Sequence, residues 1–504
     1  MAYVSNGGWL DSNACDAFRK CLQAEFDHIY VYNLRGNQNT QGEVSRREGG
    51  KIFDSGCRCP ITILLLVRLP EGQHRGNAEI LYRDIGDYKS REEKLHILDL
   101  EASFFNPTWE GTPLTPNAHG DWINQRNDAF AAFLPLTPDK KFDRAAKAFF
   151  ITYSSGLKTA RDPWCYGFNE PTVLERMRES IEVYDRSLQA GSPIEDPARI
   201  NWNRSLLQHF AQKQREPLLA PRLAIYRPFC KMVQYYSPFW NDMIYQIPKF
   251  FPTGAKGENL VICVNGIGIN KPFGCLITDT TPDIQLMPNG QCFPLYWYSE
   301  AAPGDLFGGG LVRHDGVSDW IQREAEAKYG RTVPKETLFY YVYGYLHKAD
   351  WREAFAADLK KELPRIPLVA HAADFEEIAR IGRELAKLHL HYEALEPYPL
   401  EEVGSFSNPR IEKMTFPGKD KTQVKVNDTL TLRGIPPEAY DYVVNGRSPV
   451  EWVLDRYQVK RDKASGLLSD PNLWAPENPR YIPELIKRLV TLSLRSRELI
   501  AALP

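Results

Sequence analysis

The residues with the clearest potential for chemistry are two carboxylates and a lysine. Asp283 follows Pro282, and Glu326-Ala327-Lys328 comes later in the chain. Two carboxylates could hold Mg²⁺ while a lysine assists the attack of water, so this pattern predicts a metal-dependent nuclease. Such loose spacing also arises by chance, and Glu326 lies in a charged run typical of a solvated helix face. A nuclease and a structural helix therefore both stay open.

Other catalytic patterns are missing from the sequence. It contains no Gly-x-Ser-x-Gly elbow, no His-Glu-x-x-His pair and no set of kinase motifs. No Gly-x-Gly-x-x-Gly turn joins a strand to a helix in the first hundred residues, as a dinucleotide or methyl-donor site would require. We assign no catalytic, cofactor-binding or metal-binding residue.

A basic, aromatic stretch covers residues 201–250. It carries seven basic and two acidic residues, a net charge of +5, interleaved with aromatic residues such as Tyr226, Tyr236 and Trp240. Cations contact phosphates and aromatic rings stack on bases, so the stretch is typical of a nucleic-acid-binding surface. A core of aromatic residues flanked by solvated charges explains the same composition.

The elements that would position these residues begin with a strand, a helix and a strand. Residues 2–5 and 28–32 are rich in β-formers, and the apolar residues of 14–22 recur at helical spacing. Residues 61–67 form a continuous apolar run of the kind that is buried on both faces of an α/β sheet, and residues 79–84 predict a further strand.

Later segments predict a mixed region and then helices. Residues 260–264, 273–278 and 292–298 read as strands. Asp374 and Glu377 have the spacing of a capping box ahead of an apolar helical pattern, and the last helix is expected over 483–499.

Composition limits the class of protein. The 504 residues carry a net charge of -2, with 43% hydrophobic and 25% charged residues, as in a folded multidomain protein. No stretch approaches the length of a membrane helix, and nine scattered cysteines form no Cys-x-x-Cys pair. We expect a cytoplasmic protein with reduced thiols and no membrane partner.

Several long segments resemble one family. The chain reads YVSNGGWLD at residues 3–11, GLKTARD at 156–162 and AYDYVVNG at 439–446. Together with residues 29–37, 48–53, 60–67, 226–229, 290–295 and 363–367, these segments closely resemble the carboxy-terminal part of Type ISP restriction-modification enzymes. The resemblance extends over essentially the whole chain.

The resemblance implies a function in DNA restriction and modification. Members of this family join a nuclease, a helicase-like translocase, a coupler, an adenine-specific methyltransferase and a target-recognition domain in one polypeptide. The methyltransferase uses S-adenosylmethionine and grips a flipped adenine with an Asn/Asp-Pro-Pro-Tyr/Phe motif, since the exocyclic amine is inaccessible within a stacked duplex. Asn106-Pro107-Thr108-Trp109 only approximates this motif. We expect no cofactor on this chain alone and S-adenosylmethionine in the complete enzyme.

The resemblance also implies the fold class, α/β. We expect the second half only of a doubly wound, Rossmann-like methyltransferase sheet, then an α+β target-recognition region and helical carboxy-terminal segments. The expected domains are residues 1–100, a connecting region over 101–190, the DNA-specificity domain over 191–400 and an extension over 401–504.

We expect double-stranded DNA as partner, together with a separately encoded methyltransferase and helicase portion. Two groups of polar side chains are candidate DNA contacts, for phosphates or for base edges. The first group is Arg35, Asn37, Arg46, Arg47, Lys51 and Arg58, in loops at the open edge of the first sheet, and the second is Lys158, Arg161, Arg227 and Lys231.

Three functions remain in competition. The first is a DNA-specificity module that is catalytically incomplete, arising from a clipped gene, a split gene or a remnant. The second is the autonomous nuclease built on Asp283, Glu326 and Lys328. The third is a scaffold that completes a methyltransferase in trans, for which the unpaired edge of a half sheet would be the docking edge.

Overall fold

The computed structural model describes residues 1–40, 42–54, 56–74, 76–101, 110–253, 259–269, 271–301 and 310–504. The tetrapeptide at 106–109 lies outside these residues. Two compact units result: unit 1 contains Met1–Phe133, Ile267–Phe273 and Arg352–Leu363, and unit 2 contains Leu134–Gly266, Gly274–Trp351 and Pro364–Pro504. The expected domain limits at residues 100, 190 and 400 stay predictions.

The strands are short in most places. They are β1 Ala2–Asn6, β2 His28–Arg35, β3 Ile61–Val67, β4 Glu79–Asp84, β5 Thr112–Leu114, β6 Leu134–Pro135, β7 Ser154–Ser155, β8 Tyr166–Gly167, β9 Arg222–Arg227, β10 Cys230–Gln234, β11 Val261–Val264, β12 Cys275–Thr278, β13 Thr281–Pro282, β14 Gln291–Pro294, β15 Tyr296–Glu300, β16 Leu311–Asp315, β17 Arg365–Ile366, β18 Glu401–Gly404, β19 Gln423–Lys425, β20 Leu430–Arg433, β21 Lys460–Arg461 and β22 Leu468–Ser469.

The helices range from one turn to about six turns. They are α1 Asp16–Glu25, α2 Gly42–Glu48, α3 Arg91–Glu101, α4 Asp162–Cys165, α5 Glu170–Ala190, α6 Arg204–Ala211, α7 Ile247–Phe250, α8 Asp319–Tyr329, α9 Lys335–Tyr345, α10 Ala349–Ala354, α11 Asp358–Lys361, α12 Ala372–Leu390, α13 Pro449–Arg456 and α14 Tyr481–Ala501. No helix in the described ranges combines the length and apolar character that crossing a bilayer requires.

Unit 1 is built on a five-stranded sheet in the order β1-β3-β2-β4-β5. β3 is the apolar strand expected from the sequence, and side chains on both of its faces are buried, Leu64 and Leu66 in one cluster and Ile61 in another. The pair β2 and β4 is parallel, whereas β1, β3 and β5 pair antiparallel with their neighbours. The described strands thus form a mixed sheet, and an α/β fold is present without the all-parallel pairing of a doubly wound sheet.

A buried carboxylate organises the polar interior of unit 1. Asp121 accepts hydrogen bonds from Arg126 Nε at 2.8 Å and from Lys361 Nζ at 2.6 Å, and Arg19 lies 3.6 Å away. Burial acts to raise the pKa of Asp121, but these hydrogen bonds hold that pKa well below its usual range. The carboxylate therefore stays ionised inside the unit.

Unit 2 contains two four-stranded sheets, β13-β9-β10-β8 and β12-β11-β14-β7, and several smaller ones. All four residues of β11 and of β12 are buried. The single strand expected over 292–298 is wrong: β14 ends at Pro294 and β15 begins at Tyr296 in a different sheet. Proline ends the first strand because it has no N–H to continue the ladder.

Two glycines let α9 and α12 approach closely. A methyl group at Gly382 would overlap the Tyr340 carbonyl oxygen, and one at Gly344 would overlap the carbonyl oxygen of Ile378. The capping box expected at Asp374 is wrong, since α12 begins at Ala372 without a side-chain cap. A capping box is instead present at Ser448, the N-cap of α13.

Candidate nucleic-acid interface

The candidate interface is a cleft of about 450 Å³ in unit 2. Its walls come from α4, α5, β9, β10 and the hairpin β21–β22, and we call it the basic cleft. The lining includes five cations and two carboxylates: Arg176, Arg456, Lys460, Arg461 and Lys463, with Asp162 and Asp462. Arg456 pairs with Asp455 at 2.5 Å and Lys460 lies 3.8 Å from the same carboxylate, so part of this positive charge is matched. The remaining excess has the sign that a phosphate-bearing ligand requires.

The hairpin β21–β22 forms one lip of the cleft, and its turn is fixed by its own side chains. Asp462 Oδ1 accepts hydrogen bonds from the Ser465 N–H at 2.8 Å and from the Ser465 hydroxyl at 2.7 Å. Gly466 takes the positive φ of 72° that closes the turn. The Asp462 pKa is lowered because these backbone and side-chain hydrogen bonds favour its charged form. Lys463, within the turn, and Arg461, just before it, are thereby held exposed.

Arg176 of α5 anchors the hairpin to the rest of the unit. Its side chain is buried, and it donates to the carbonyl oxygens of Pro163 at 2.9 Å, Tyr166 at 3.2 Å and Leu468 at 2.5 Å. α5 begins after the N-cap Asn169, which accepts from the Thr172 N–H. One guanidinium therefore joins α4, β8 and β22, and it fixes the hairpin β21–β22 to the other walls of the cleft.

Three residues that line the cleft, Asp162, Tyr166 and Tyr226, belong to a buried polar network. Tyr226 donates to Asp162 at 2.9 Å, and Arg227 donates to Asp283 at 2.7 Å. Tyr166 also donates to Asp283, at 3.0 Å. Burial raises the pKa of Asp283 to about 6 even though Arg227 acts to lower it. Burial likewise raises the pKa of the Tyr226 hydroxyl.

The four candidate contacts of unit 2 all have partners within the protein. Lys158 is exposed and pairs with Asp242 at 2.8 Å, and Lys231 pairs with Glu393 at 2.6 Å. Arg161 is only 2% exposed, and its guanidinium donates to the carbonyl oxygen of Trp240. As a DNA contact, the Arg161 prediction is contradicted by burial. Arg227 is also mostly buried, and its charge is matched by Asp283.

Most of the aromatic residues of the basic stretch are core residues. Tyr235 is fully buried, Trp240 is 1% exposed and Phe229 is 2% exposed. Arg222 lies over the ring of Tyr236 at 3.3 Å. The core interpretation of residues 201–250 therefore describes these side chains better than a stacking surface does.

The six candidates of unit 1 lie at the end of β2, on loops and on α2. Arg35 pairs with Asp84 at 2.6 Å and also with Asp87, and the Asn37 N–H donates to Glu48 at 2.9 Å. Lys51 donates to the carbonyl oxygen of Asp54. The rest of the group are exposed side chains: Arg46, Arg47 and Arg58. Arg47 lies 3.9 Å from Asp87. Their role toward DNA stays a prediction.

The geometry does not support the nuclease. Asp283 is 3% exposed and bonded to Arg227, while Glu326 accepts from the Val333 N–H at 3.2 Å and Lys328 donates to the Leu368 carbonyl at 2.7 Å. None of these contacts joins two of the three residues. Within the described ranges, no group of three or more Asp, Glu, His or Cys side chains could hold a metal ion.

Sequence reasoning missed the hairpin cations and Arg176. A signal was present, because Lys460, Arg461 and Lys463 are close together and Ser465-Gly466 marks a turn. A two-stranded ribbon with exposed cations fits the major groove of DNA, where guanidinium groups read guanine edges and lysines reach phosphates. Arg461 and Lys463 are exposed on this hairpin, and the Arg461 guanidinium donates to the Gly466 carbonyl oxygen at 2.6 Å.

Three solved structures are similar to this chain over its full length. A nuclease-deletion mutant of the Type ISP restriction-modification enzyme LlaGI, in complex with a DNA substrate mimic, is 35% identical, with a TM-score of 0.84, over 100% of this chain and 39% of that chain. The ATP-dependent Type ISP enzyme LlaBIII, bound to DNA, is 35% identical with a TM-score of 0.87, over 100% and 32%. A DrdV–DNA complex is 29% identical with a TM-score of 0.82, over 100% and 50%.

The chain thus spans 32–50% of the length of these structures. A search of curated proteins gives no match. The family model of the Type ISP C-terminal specificity domain matches residues 148–485, which include every residue that lines the basic cleft. Because this model matches more than half of the 504 residues, the protein belongs to the Type ISP C-terminal specificity domain family.

Proposed function

We propose that this chain recognises the DNA target sequence of a Type ISP restriction-modification enzyme, and that the hairpin β21–β22 reads the DNA. The main support is the basic hairpin, which Arg176 anchors at the edge of the basic cleft. It lies within the segment that the specificity-domain model matches. The similar structures named above all contain DNA or a mimic of it. In this proposal Arg461 contacts a base edge and Lys463 contacts a phosphate.

The two side chains give different expected results. A specific arginine contact to guanine discriminates against the wrong base by about 1–3 kcal/mol, on the order of 10- to 100-fold in affinity. Arg461→Ala should therefore lose affinity for the target sequence and relax specificity at one position. Lys463→Ala should weaken binding to all sequences alike and reduce the salt dependence of binding.

Selection of bound duplexes from a random library, with the full chain, identifies the target. Fluorescence anisotropy then measures target and scrambled duplexes for each variant. Lys419→Ala is the matched control, because Lys419 is an exposed lysine of unit 2 that does not line the cleft. If Arg461→Ala and Lys463→Ala both bind the target as tightly as Lys419→Ala does, the hairpin is not the reader.

We further propose that this recognition directs an adenine-specific methyltransferase that uses S-adenosylmethionine, and that residues 1–100 correspond to the last strands of its sheet. The support is the parallel pair β2–β4 beside the antiparallel β3, flanked by α1 and α3. The test supplies the chain in trans to the methyltransferase portion of a Type ISP enzyme, with tritiated S-adenosylmethionine. Label confined to duplexes with the selected target supports the proposal, and label independent of that target contradicts it.

A further inference from the structure

Three cations of unit 2 meet at one carboxylate, that of Asp455. Arg447 lies 2.8 Å and Arg456 lies 2.5 Å from Asp455 Oδ2, and the Lys460 ammonium lies 3.8 Å from Oδ1. We call these four residues the Asp455 cluster. Among the described residues, Asp455 is the one carboxylate within ion-pair distance of the three cations. Three positive charges against one negative charge leave the cluster with a net charge of +2.

The two guanidinium groups of the cluster are brought to the same place. Arg447 and Arg456 approach the same oxygen atom of Asp455, and both lie over the ring of Trp452, at 5.3 Å and 5.8 Å from its centre. The indole N–H of Trp452 donates to the Val444 carbonyl oxygen at 2.8 Å, which fixes the ring. A guanidinium stacked on a ring is stabilised there, and the N–H groups along its edge remain able to donate.

A turn, a helix and a strand position the members of the cluster. The tight turn at Asn445-Gly446, with positive φ at both residues, places Arg447 just ahead of the capped amino terminus of α13. Asp455 and Arg456 are the last two residues of α13, and Lys460 is the first residue of β21. The cluster therefore joins α13 to the hairpin that forms one lip of the basic cleft.

Arg456 and Lys460 are open to the basic cleft. Both line it, with 29% and 48% of their side chains exposed. Lys460 also donates to the main-chain carbonyl oxygen of Asp455 at 2.7 Å, and an ammonium has two further N–H groups. Successive residues of a strand point to opposite faces, so Lys460 and Arg461 lie on different sides of the hairpin. A ligand of the cluster is therefore an addition to the contact proposed for Arg461.

The closeness of the cations affects the pKa of Lys460. Burial lowers that pKa, and the guanidinium groups of Arg456 and Arg447 lower it as well, although Asp455 acts to raise it. Like charges this close repel each other, and one carboxylate does not offset three cations. The cluster therefore favours a second anion.

The acidic residues that line the cleft do not supply this second anion. Asp162 accepts from the Tyr226 hydroxyl at 2.9 Å, and Asp462 accepts from the Ser465 hydroxyl at 2.7 Å. Neither carboxylate is within ion-pair distance of Arg456 or Lys460. The second anion must come from outside the described chain.

We infer that the Asp455 cluster binds one phosphate group, with Arg456 and Lys460 as its contacts in the basic cleft. The inference rests on the proposed function in one respect, since in the DNA complex this group is a backbone phosphate. Free phosphate has the same chemistry and is separated from DNA by the experiment.

The first arm measures the DNA affinity of the full chain against salt. Losing one phosphate contact lowers the slope of log Kd against log salt by about 0.9, which is about a 3.5-fold change in the ratio of variant to wild-type Kd between 50 and 200 mM salt. The double variant Arg456→Gln/Lys460→Gln should show this change, whereas Arg456→Lys/Lys460→Arg keeps both charges and should keep most of the slope.

The matched control for this arm is Arg186→Gln/Lys419→Gln. It removes one exposed arginine and one exposed lysine of unit 2 that do not line the cleft, and it should keep the wild-type slope. The single variant Lys460→Gln, at the more exposed contact, should lower the slope in the same direction, and it replaces the double variant if that protein does not fold.

The second arm titrates inorganic phosphate into the full chain by calorimetry. Binding that disappears in Arg456→Gln/Lys460→Gln but persists in the control assigns the cluster to free phosphate, even if the DNA slopes are unchanged. If the wild-type chain gives no heat with phosphate, the DNA slope alone decides. Slopes and heats that both match the control overturn the inference.

The two proposals fail in different ways. If Arg456→Gln/Lys460→Gln matches the control while Arg461→Ala weakens target binding, the phosphate contact fails and the proposed function stands. If the double variant lowers the slope while Arg461→Ala and Lys463→Ala bind the target as the wild type does, the hairpin is not the reader and the phosphate contact stands.

Discussion

Arg227→Met should destabilise unit 2 more than it changes any contact with DNA. The substitution keeps a long apolar stem but removes the 2.7 Å ion pair with Asp283 and the cation above the Tyr226 ring at 3.8 Å. Of its hydrogen-bond donors among the described side chains and backbone, Asp283, 3% exposed, would keep the Tyr166 hydroxyl at 3.0 Å and the Gln285 N–H at 2.7 Å. Removing one partner of a buried ion pair costs about 3–5 kcal/mol, and we expect a loss in that range at pH 7.5.

The cost should depend on pH in a defined direction. The folded-state pKa of Asp283, about 6, lies above the ordinary value of 3.8, because burial disfavours the carboxylate. Protonation of Asp283 therefore stabilises the folded protein. This stabilisation is fully present below pH 3.8 and is lost as pH rises through 6. The difference between the two pKa values corresponds to about 3 kcal/mol of folding free energy. At pH 5 most Asp283 is already protonated in the folded protein, the ion pair is absent, and Arg227→Met should cost only about 1 kcal/mol, the size of an ordinary hydrogen bond.

Urea unfolding followed by tryptophan fluorescence at pH 5 and pH 7.5 measures both values. Asp283→Asn combined with Arg227→Met should recover much of the loss at pH 7.5, since no uncompensated charge remains. Asp428→Asn, at a carboxylate whose side chain is 93% exposed, is the control and should change neither value. An Arg227→Met cost below about 1 kcal/mol at pH 7.5, or an equal cost at both pH values, would refute the role given to this ion pair.

Two further variants test the packing that supports the cleft and the helix pair. Arg176→Met removes the anchor of β22, so trypsin should cleave after Lys463 several-fold faster than in wild type; Arg178→Met, on the exposed side of the same helix, should leave that rate unchanged. Gly382→Ala places a methyl group against the Tyr340 carbonyl and should cost about 1–3 kcal/mol in urea unfolding. An unchanged unfolding midpoint would show that α9 and α12 separate without cost.

The local elements could largely be predicted because their signals are local. The apolar run of β3 and the β-formers of β2 lie where the sequence indicated, and the final helix is confirmed, beginning at Tyr481 and ending at Ala501. The way these strands pair was not available from their composition. β2 lies between β3, to which it is antiparallel, and β4, to which it is parallel, and this choice of neighbours depends on long-range packing that alternation in one strand does not encode.

The candidate contacts illustrate why charge alone is a poor guide to a site. Arg161 is basic in sequence, but the carbonyl oxygen that accepts from it belongs to Trp240, 79 residues away. Lys231 meets Glu393, 162 residues along the chain. Such partners determine whether a cation faces a ligand or the interior. The hairpin cations escaped notice because β21 and β22 have only two residues each, too few to give a periodic pattern.

Under the proposed function, the way in which Arg176 holds the hairpin affects how target specificity can evolve. Its three acceptors are main-chain carbonyl oxygens, of Pro163, Tyr166 and Leu468. Every amino acid provides such an oxygen, so the attachment does not depend on which side chain stands at position 468 or on the residues of the turn that face outward. In the proposed function, a new residue at 463 can change what is read without loosening this support, whereas Arg461 also donates to the Gly466 carbonyl oxygen at 2.6 Å and so contributes to the turn.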